Sequence, residues 1–424
     1  MSRADLLAAA ASYAHVRTFR RRHRTRAAVE RWQSRRIERW LAYHARLVPA
    51  FADMPPGTPL SELPVMTKTD LMAAFASYNV AGIDAAQGWQ AFETTKSIDG
   101  YVVGASTGTS GNRGLFVISQ TERYRWLGAI LAKGLPDFWR RRDRVAVLLP
   151  LDTPLYDTAN ATGRLLLRFF DTSAPLNTHR DALARFDPTV LIAPPRVLRG
   201  LVALELPLRP RAVFSAAEKL EAFDRAAIEA GFATPLREIY MASEGLFAVS
   251  CRHGRLHLAE DCMLFELEDR GGGRVSPLIT DFSRTTQIML RYRMNDLLVM
   301  DDAPCPCGSP LRVVREIVGR VDDVFHLRST TGGTVELTPD ILRNAIVDAD
   351  RAITDFRLVQ TAPDYVELHL ETGNADAVTA RLTALLARHG CAPQVGVRFR
   401  DLAPLEPGKL RRVRNETGRQ RRDA

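Results

Sequence analysis

Through the middle of the chain, short apolar runs alternate with stretches whose apolar residues recur every three or four positions. The runs at 145–151 (VAVLLPL), 189–193 (TVLIA) and 212–215 (AVFS) read as buried strands, and 236–240 (LREIY) as the next strand. Between them the spacing predicts a helix over 179–186 and another starting at Pro195, where proline suits a first turn. A third is expected over 218–231, ending at Gly231. This alternation predicts an α/β domain around a largely parallel sheet. Over 255–300 the texture changes to strands and turns, with Gly271, Gly272 and Gly273 forming a loop. After Gly319 the runs DVFHL and TVELT flank the turn STTGG, as in a hairpin. A helix at 339–348, strands near 356–361 and 365–371, a helix at 375–389 and a strand near 395–399 complete a small α+β unit. The expected division is 1–318, with a helical lead-in at 1–60, and 319–424.

Nearer the start, 58–71 reads as a turn followed by a helix start. The runs at 101–105 (YVVGA) and 115–118 (LFVI) read as strands flanking the loop STGTSGNRG at 106–114. Ser119 and Glu122 have capping-box spacing, and Leu127, Ile130, Leu131 and Leu135 mark the buried face of the helix that follows. The loop lacks the Gly-Lys-Ser/Thr ending of a P-loop and the spacing of a dinucleotide fingerprint. Its glycines let backbone N–H groups converge, and Ser106, Thr107, Thr109 and Ser110 add hydroxyls. Such a nest suits phosphate, and a plain Gly/Ser/Thr turn is the alternative.

Charge changes the picture at one place. Residues 15–46 hold eleven Arg and two Glu, an excess equal to the formal charge of +9 on the whole chain. A basic run can bind nucleic acid or anionic lipid. Here Ile37, Trp40, Leu41, His44 and Val48 make one apolar stripe at helical spacing, which favours a packed helix with a solvated basic face. Nucleic acid is therefore not an expected partner. No apolar run approaches the ~18 residues of a membrane span. The apolar N-terminal stretch precedes its arginines, the reverse of a signal peptide. Five cysteines spread over the chain make no disulfide framework and fit a reducing cytoplasm.

Four further motifs follow the glycine loop: YMASEG (240–245), LRYRMND (290–296), GRVDD (319–323) and LEPGKLRR (405–412). In type and order the set resembles the adenylate-forming superfamily. Within it the likeness is to the phenylacetate–CoA ligase and coenzyme F390 synthetase branch, through LPVMTKTDL (63–71), STGTSGNRGLFV and CPCG (305–308). The resemblance implies a large N-terminal α/β domain, a smaller mobile α+β C-terminal domain and ATP between them. It implies a carboxylic acid activated as acyl-AMP with Mg²⁺, then passed to coenzyme A. Transfer of AMP to a hydroxyl acceptor is the alternative, told apart by product mass. A non-catalytic nucleic-acid or membrane-binding protein is the distant one. The acid and the oligomeric state stay open.

The resemblance also implies residue roles. Ser106, Thr107, Gly108, Thr109, Ser110 and Gly111 would hold the β- and γ-phosphates, with Arg113 in place of the lysine most relatives carry. Glu244 would bind Mg²⁺, Tyr240 would lie against adenine, and Ser243 completes their motif. Asp296 and Arg320 would hold the ribose, Asp322 would be the pivot, and Lys409 would neutralise charge between carboxylate and α-phosphate. SAAEKL (215–220) resembles the segment lining the adenine and acyl pocket, making Ser215, Ala216, Ala217 and Glu218 candidates. Asn295 stands where glycine is usual, and asparagine tolerates a left-handed backbone. Separately, Cys251, His257, Cys305 and Cys307 form a Cys₃His set of the kind that closes a zinc site. Buried thiols at a proline turn are the other reading. His253 and Cys262 are weaker candidate ligands.

Overall fold

The computed structural model describes residues 2–106, 113–149, 164–350, 353, 355–399, 402 and 411–417. Two compact units divide the chain: Met1–Met294 with Met300–Arg315, and Asn295–Val299 with Glu316–Ala424. The second unit thus takes in a short segment upstream of the expected 318/319 junction.

In the first unit five strands run parallel, in the spatial order Leu165–Asp171, Asp143–Leu149, Val190–Ala193, Ala212–Ala216 and Leu236–Ala242. Gly245–Ser250 and Leu256–Leu258 continue the sheet antiparallel. Successive side chains of the strand Asp143–Leu149 serve opposite faces. Val145 and Val147 join a core with Leu127, Leu131 and Phe214 under the helix Gln120–Gly134. Ala146 and Leu148 join another with Leu183, Leu198 and Ile228 under the helices Arg180–Phe186, Pro195–Ala203 and Ala222–Phe232. Burial on both faces is why the three central strands, Asp143–Leu149, Val190–Ala193 and Ala212–Ala216, read largely as apolar runs.

The helix expected over 218–231 starts instead at Ala222 and passes through Gly231 to Phe232, where Ala233 adopts a left-handed φ of 49°. Gly231 is a packing residue rather than a terminator, because a Cβ there would collide with Val202 on the neighbouring helix. The edge strand Leu165–Asp171 is an addition to the expected set. Its burial pattern is mixed, and Leu166 is 55% exposed, so it lacks the apolar continuity of its neighbours.

The basic segment folds as two helices, Arg3–Arg22 and Arg26–Tyr43. The first lies against the helix Gln120–Gly134, where Gly128 allows the approach: a Cβ would meet the Ala9 carbonyl. Ile37, Trp40, Leu41 and Val48 are buried with Phe282, Ile288 and Leu290. Arg26 and Arg312 both bind the fully buried Glu260, at 2.7 and 2.8 Å. No helix among the described residues is long and apolar enough to cross a membrane.

The second unit contains a four-stranded sheet, ordered Gln394–Phe399, Tyr365–Leu370, Phe356–Ala362 and Val413–Asn415. The last strand, parallel to Phe356–Ala362, was not expected. The hairpin Phe325–Arg328/Thr334–Leu337 and the helices Pro339–Val347 and Ala375–Arg388 share its core, which includes Phe325, Leu342, Phe356, Leu368 and Leu382.

Candidate active site

The strands Tyr101–Ala105 and Leu115–Ile118 pair antiparallel and carry the glycine loop at their ends. Ser106 and Gly114 close its base. The Ser106 N–H donates to the Gly114 carbonyl, and the Gly114 N–H donates to Ser106 Oγ, each at 2.8 Å. Thr107, Gly108, Thr109, Ser110 and Gly111 lie outside the described residues. Arg113 stacks over Trp89 and Phe92, 5.0 and 5.3 Å from the ring centres, and its Nε donates to the Ser106 carbonyl.

A different cation reaches the loop base. Lys68 opens the helix Lys68–Ala73 behind a Thr67–Asp70 capping box, and its Nζ lies 3.5 Å from Ser106 Oγ. Gly114 permits this, since a Cβ would sit 2.7 Å from Lys68 Cε. In the sequence, LPVMTKTDL marks a turn, a helix start and a family likeness, and gives Lys68 no role of its own. A lysine on a helix's first turn opposes the macrodipole, and that mismatch was the available signal.

The carboxyl ends of the parallel strands, where α/β sheets bind ligands, bring the next candidates together. Ser215–Ala216 pairs beside Glu238–Ile239, so the segments 215–218 and 240–244 emerge side by side. Glu244 accepts hydrogen bonds from the Tyr292 hydroxyl at 3.2 Å and from the Ser243 hydroxyl at 2.9 Å. Tyr292 belongs to LRYRMND, so two motifs meet at this carboxylate. The Ser243 carbonyl in turn accepts from Arg284 Nη2 at 3.1 Å. Arg284 pairs with the buried Asp281 at 3.5 Å, and its own carbonyl accepts from Trp40 Nε1 at 2.6 Å. Burial pushes the Asp281 carboxyl up, against the pull of Arg284 and Ser283. The Tyr240 ring lies 5.0 Å from that of Phe247.

Ser215 is 2% exposed, and its Oγ has no hydrogen-bond partner among the described residues. Ala216 is buried, and Ala217 takes a left-handed φ of 69°. Glu218 is ion-paired to Arg196 at 3.0 Å with its side chain 3% exposed, so that carboxylate has an internal partner.

In the second unit Asp296 begins the strand Asp296–Asp301. Asn295 Nδ2 donates to Asp322 at 2.6 Å, its Oδ1 accepts from the Asp322 N–H, and its carbonyl accepts from the Val321 N–H. Asn295 therefore clamps the turn at 321–323 and does not use the left-handed tolerance expected of it. Arg291 takes that conformation instead, at φ 45°. Arg320 precedes the turn, half-buried. Asp323 is buried, which raises its carboxyl, and it pairs with Arg411 at 3.0 Å. Lys409 lies outside the described residues.

The sulfurs of Cys251, Cys305 and Cys307 and a ring nitrogen of His257 all lie within 4.8 Å of one another. His253, whose Nε2 accepts from Arg252, and Cys262 are not in this group.

No family model matches the chain. Across nearly its whole length the fold is that of CoA ligases solved with acyl-adenylates. It is similar to 2-hydroxyisobutyryl-CoA ligase in the postadenylation state with R3-HIB-AMP, at TM-score 0.69 and 18% identity, covering 95% of this chain and 93% of that one. The open conformation of that ligase, with 2-HIB-AMP and CoA, gives a TM-score of 0.61 at 18% identity over 93% of each chain. The anthranilate CoA ligase AuaEII with anthranoyl-AMP gives 0.51 at 14% identity, over 76% of this chain and 67% of that one. At these identities the shared property is the fold. In sequence, the chain is 29% identical to Protein CapK of Staphylococcus aureus over 173 residues, 40% of this chain and 38% of that protein.

Proposed function

We propose that the protein is an ATP-dependent adenylate-forming ligase of the phenylacetate–CoA ligase and F390 synthetase type. It activates a carboxylic acid as acyl-AMP and passes the acyl group to coenzyme A. The observation that carries this reading is Glu244, held by Tyr292 and Ser243 at the carboxyl edge of a sheet whose fold matches ligases solved with acyl-adenylates.

In the first step a carboxylate oxygen attacks the α-phosphorus. The bond from that phosphorus to the bridging oxygen breaks, and pyrophosphate leaves. The transition state gathers negative charge and needs fixed cations and N–H donors. The loop based on Ser106 and Gly114 would supply the donors, with Lys68 beside it. Glu244 fits Mg²⁺, which takes one or two carboxylates and completes its shell with phosphate and water. Its hydroxyl donors orient the carboxylate and leave oxygen lone pairs for the ion. Asp296 and Arg320 would fix the ribose, and Tyr240 would face the adenine. Lys409 would steady the charge between the two reactants. In the second step a thiol attacks the acyl carbonyl, the thiol proton is lost, and AMP leaves. A turn about Asp322 would separate the two uses of the site.

ATP–pyrophosphate exchange across a panel of carboxylic acids tests the first step. Acid-dependent exchange is expected, with Lys409→Ala slower by on the order of 10²-fold. Exchange absent with every acid, or unchanged in that variant, would reject the reading or the lysine's role respectively.

A further inference from the structure

We propose that Cys251, His257, Cys305 and Cys307 hold one structural zinc ion. Cys251 and His257 come from a tight hairpin. The Cys251 N–H donates to the Arg255 carbonyl, and the Gly254 N–H donates back to the Cys251 carbonyl. Cys305 and Cys307 come from the connection leading into the strand Val313–Arg320, and His257 pairs with Val313 across the sheet. Two segments some fifty residues apart thus present four ligand atoms to one point.

Two of the six ligand-to-ligand distances match the edges of a zinc tetrahedron, and all six are within 4.8 Å. Zinc bonds of about 2.3 Å to sulfur and about 2.0 Å to nitrogen imply edges near 3.8 Å between sulfurs and about 3.5 Å from sulfur to nitrogen. Cys251 Sγ and Cys305 Sγ are 3.7 Å apart, and Cys307 Sγ and His257 Nε2 are 3.4 Å apart. The sulfur separation is far beyond a disulfide bond of about 2.05 Å, and all five cysteines are free.

The surroundings prepare the ligands. His257 Nδ1 lies 3.1 Å from the Leu311 carbonyl. Donation there places the proton on Nδ1 and leaves the Nε2 lone pair facing the sulfurs. Cys251 Sγ also accepts the His253 backbone N–H at 3.4 Å. Such a donor suits a thiolate. Cys305 and His257 are each 7% exposed.

Four protein ligands leave no open position, so the ion would staple rather than catalyse. It would fasten the 302–311 connection to the 251–257 hairpin. Arg20, which donates to the Cys307 carbonyl, extends the tie to the N-terminal helix. This inference does not depend on the ligase reading, and its failure would leave that reading untouched.

The test is elemental analysis of full-length protein purified without chelator or immobilised metal. One zinc per chain is expected, with content falling about tenfold or more in the double variant Cys305→Ser/Cys307→Ser. In the wild type, a mercurial that titrates thiols should release the zinc to a colorimetric chelator, a readout needing no variant to fold. Cobalt replacement should give the intense visible bands of a tetrahedral thiolate site. Stoichiometric iron, octahedral cobalt spectra, or no metal retained after dialysis against micromolar zinc would each overturn the assignment.

Discussion

At the scale of single residues, the candidate site is held by contacts between motifs as much as by the motifs. Tyr292 reaches Glu244 across 48 positions, and Lys68 reaches Ser106 across 38. The residue types were legible where the structure describes them: a glutamate after a strand-end tyrosine, and a serine at the head of the glycine loop. The partners were not, because nothing local ties a tyrosine to one carboxylate rather than another. Arg113 shows the converse. It was the expected phosphate cation by position, yet Trp89 and Phe92 offer its guanidinium two aromatic faces. Lys68→Ala should raise the KM for ATP about tenfold or more, the loss expected of a charged hydrogen bond, with a smaller change in the KM for the acid. Initial-rate kinetics with each substrate varied separately would show it. Arg113→Ala should move the ATP constant less.

At the scale of elements, local chemistry was the readable part. The Ser119–Glu122 box caps its helix as expected, because both partners lie within one turn. The same Glu122 does more than spacing reveals. Its other oxygen accepts the N–H groups of Thr285 and Thr286, at 2.5 and 2.8 Å. Burial raises this carboxyl, but those donors outweigh it, so the folded pKa lies below the ordinary 4.5. A carboxyl lowered by folding stabilises fully above its unfolded pKa and loses that contribution as pH falls through the folded one. Glu122→Gln should therefore cost about 1.5–3 kcal/mol at neutral pH. The gap to wild type should close in acid below pH 4.5, as urea midpoints across pH would record. The edge strand Leu165–Asp171 escaped notice for a physical reason. Its half-exposed pattern carries neither the continuous apolar run of a central strand nor clean alternation.

At the scale of the whole molecule, the excess positive charge sits on helices with two distinct faces. Arg31, Arg35 and Arg39 are exposed, four residues apart, while Ile37, Trp40 and Leu41 are buried on the opposite side. Replacing the three arginines with glutamine should leave melting temperature and exchange activity nearly unchanged, within about 0.5 kcal/mol. Trp40→Ala should cost about 3–5 kcal/mol in a denaturant melt. If the arginine variant instead lost activity, the basic face would have a partner in the reaction. The α/β class and the smaller α+β unit were visible from periodicity alone. The assignment of Asn295–Val299 to the second unit was not, since the boundary falls within the continuous strand Asp296–Asp301 and leaves no mark in composition.

The bond from Trp40 to the Arg284 carbonyl has a practical meaning. Arg284 in turn grips the peptide just ahead of Glu244. Anyone trimming the amino-terminal helices to obtain a tidier expression product would be removing the buttress behind the Glu244 corner. Such a shortened protein should still fold its central sheet but turn over slowly, and look like a poor enzyme when it is merely an unbraced one.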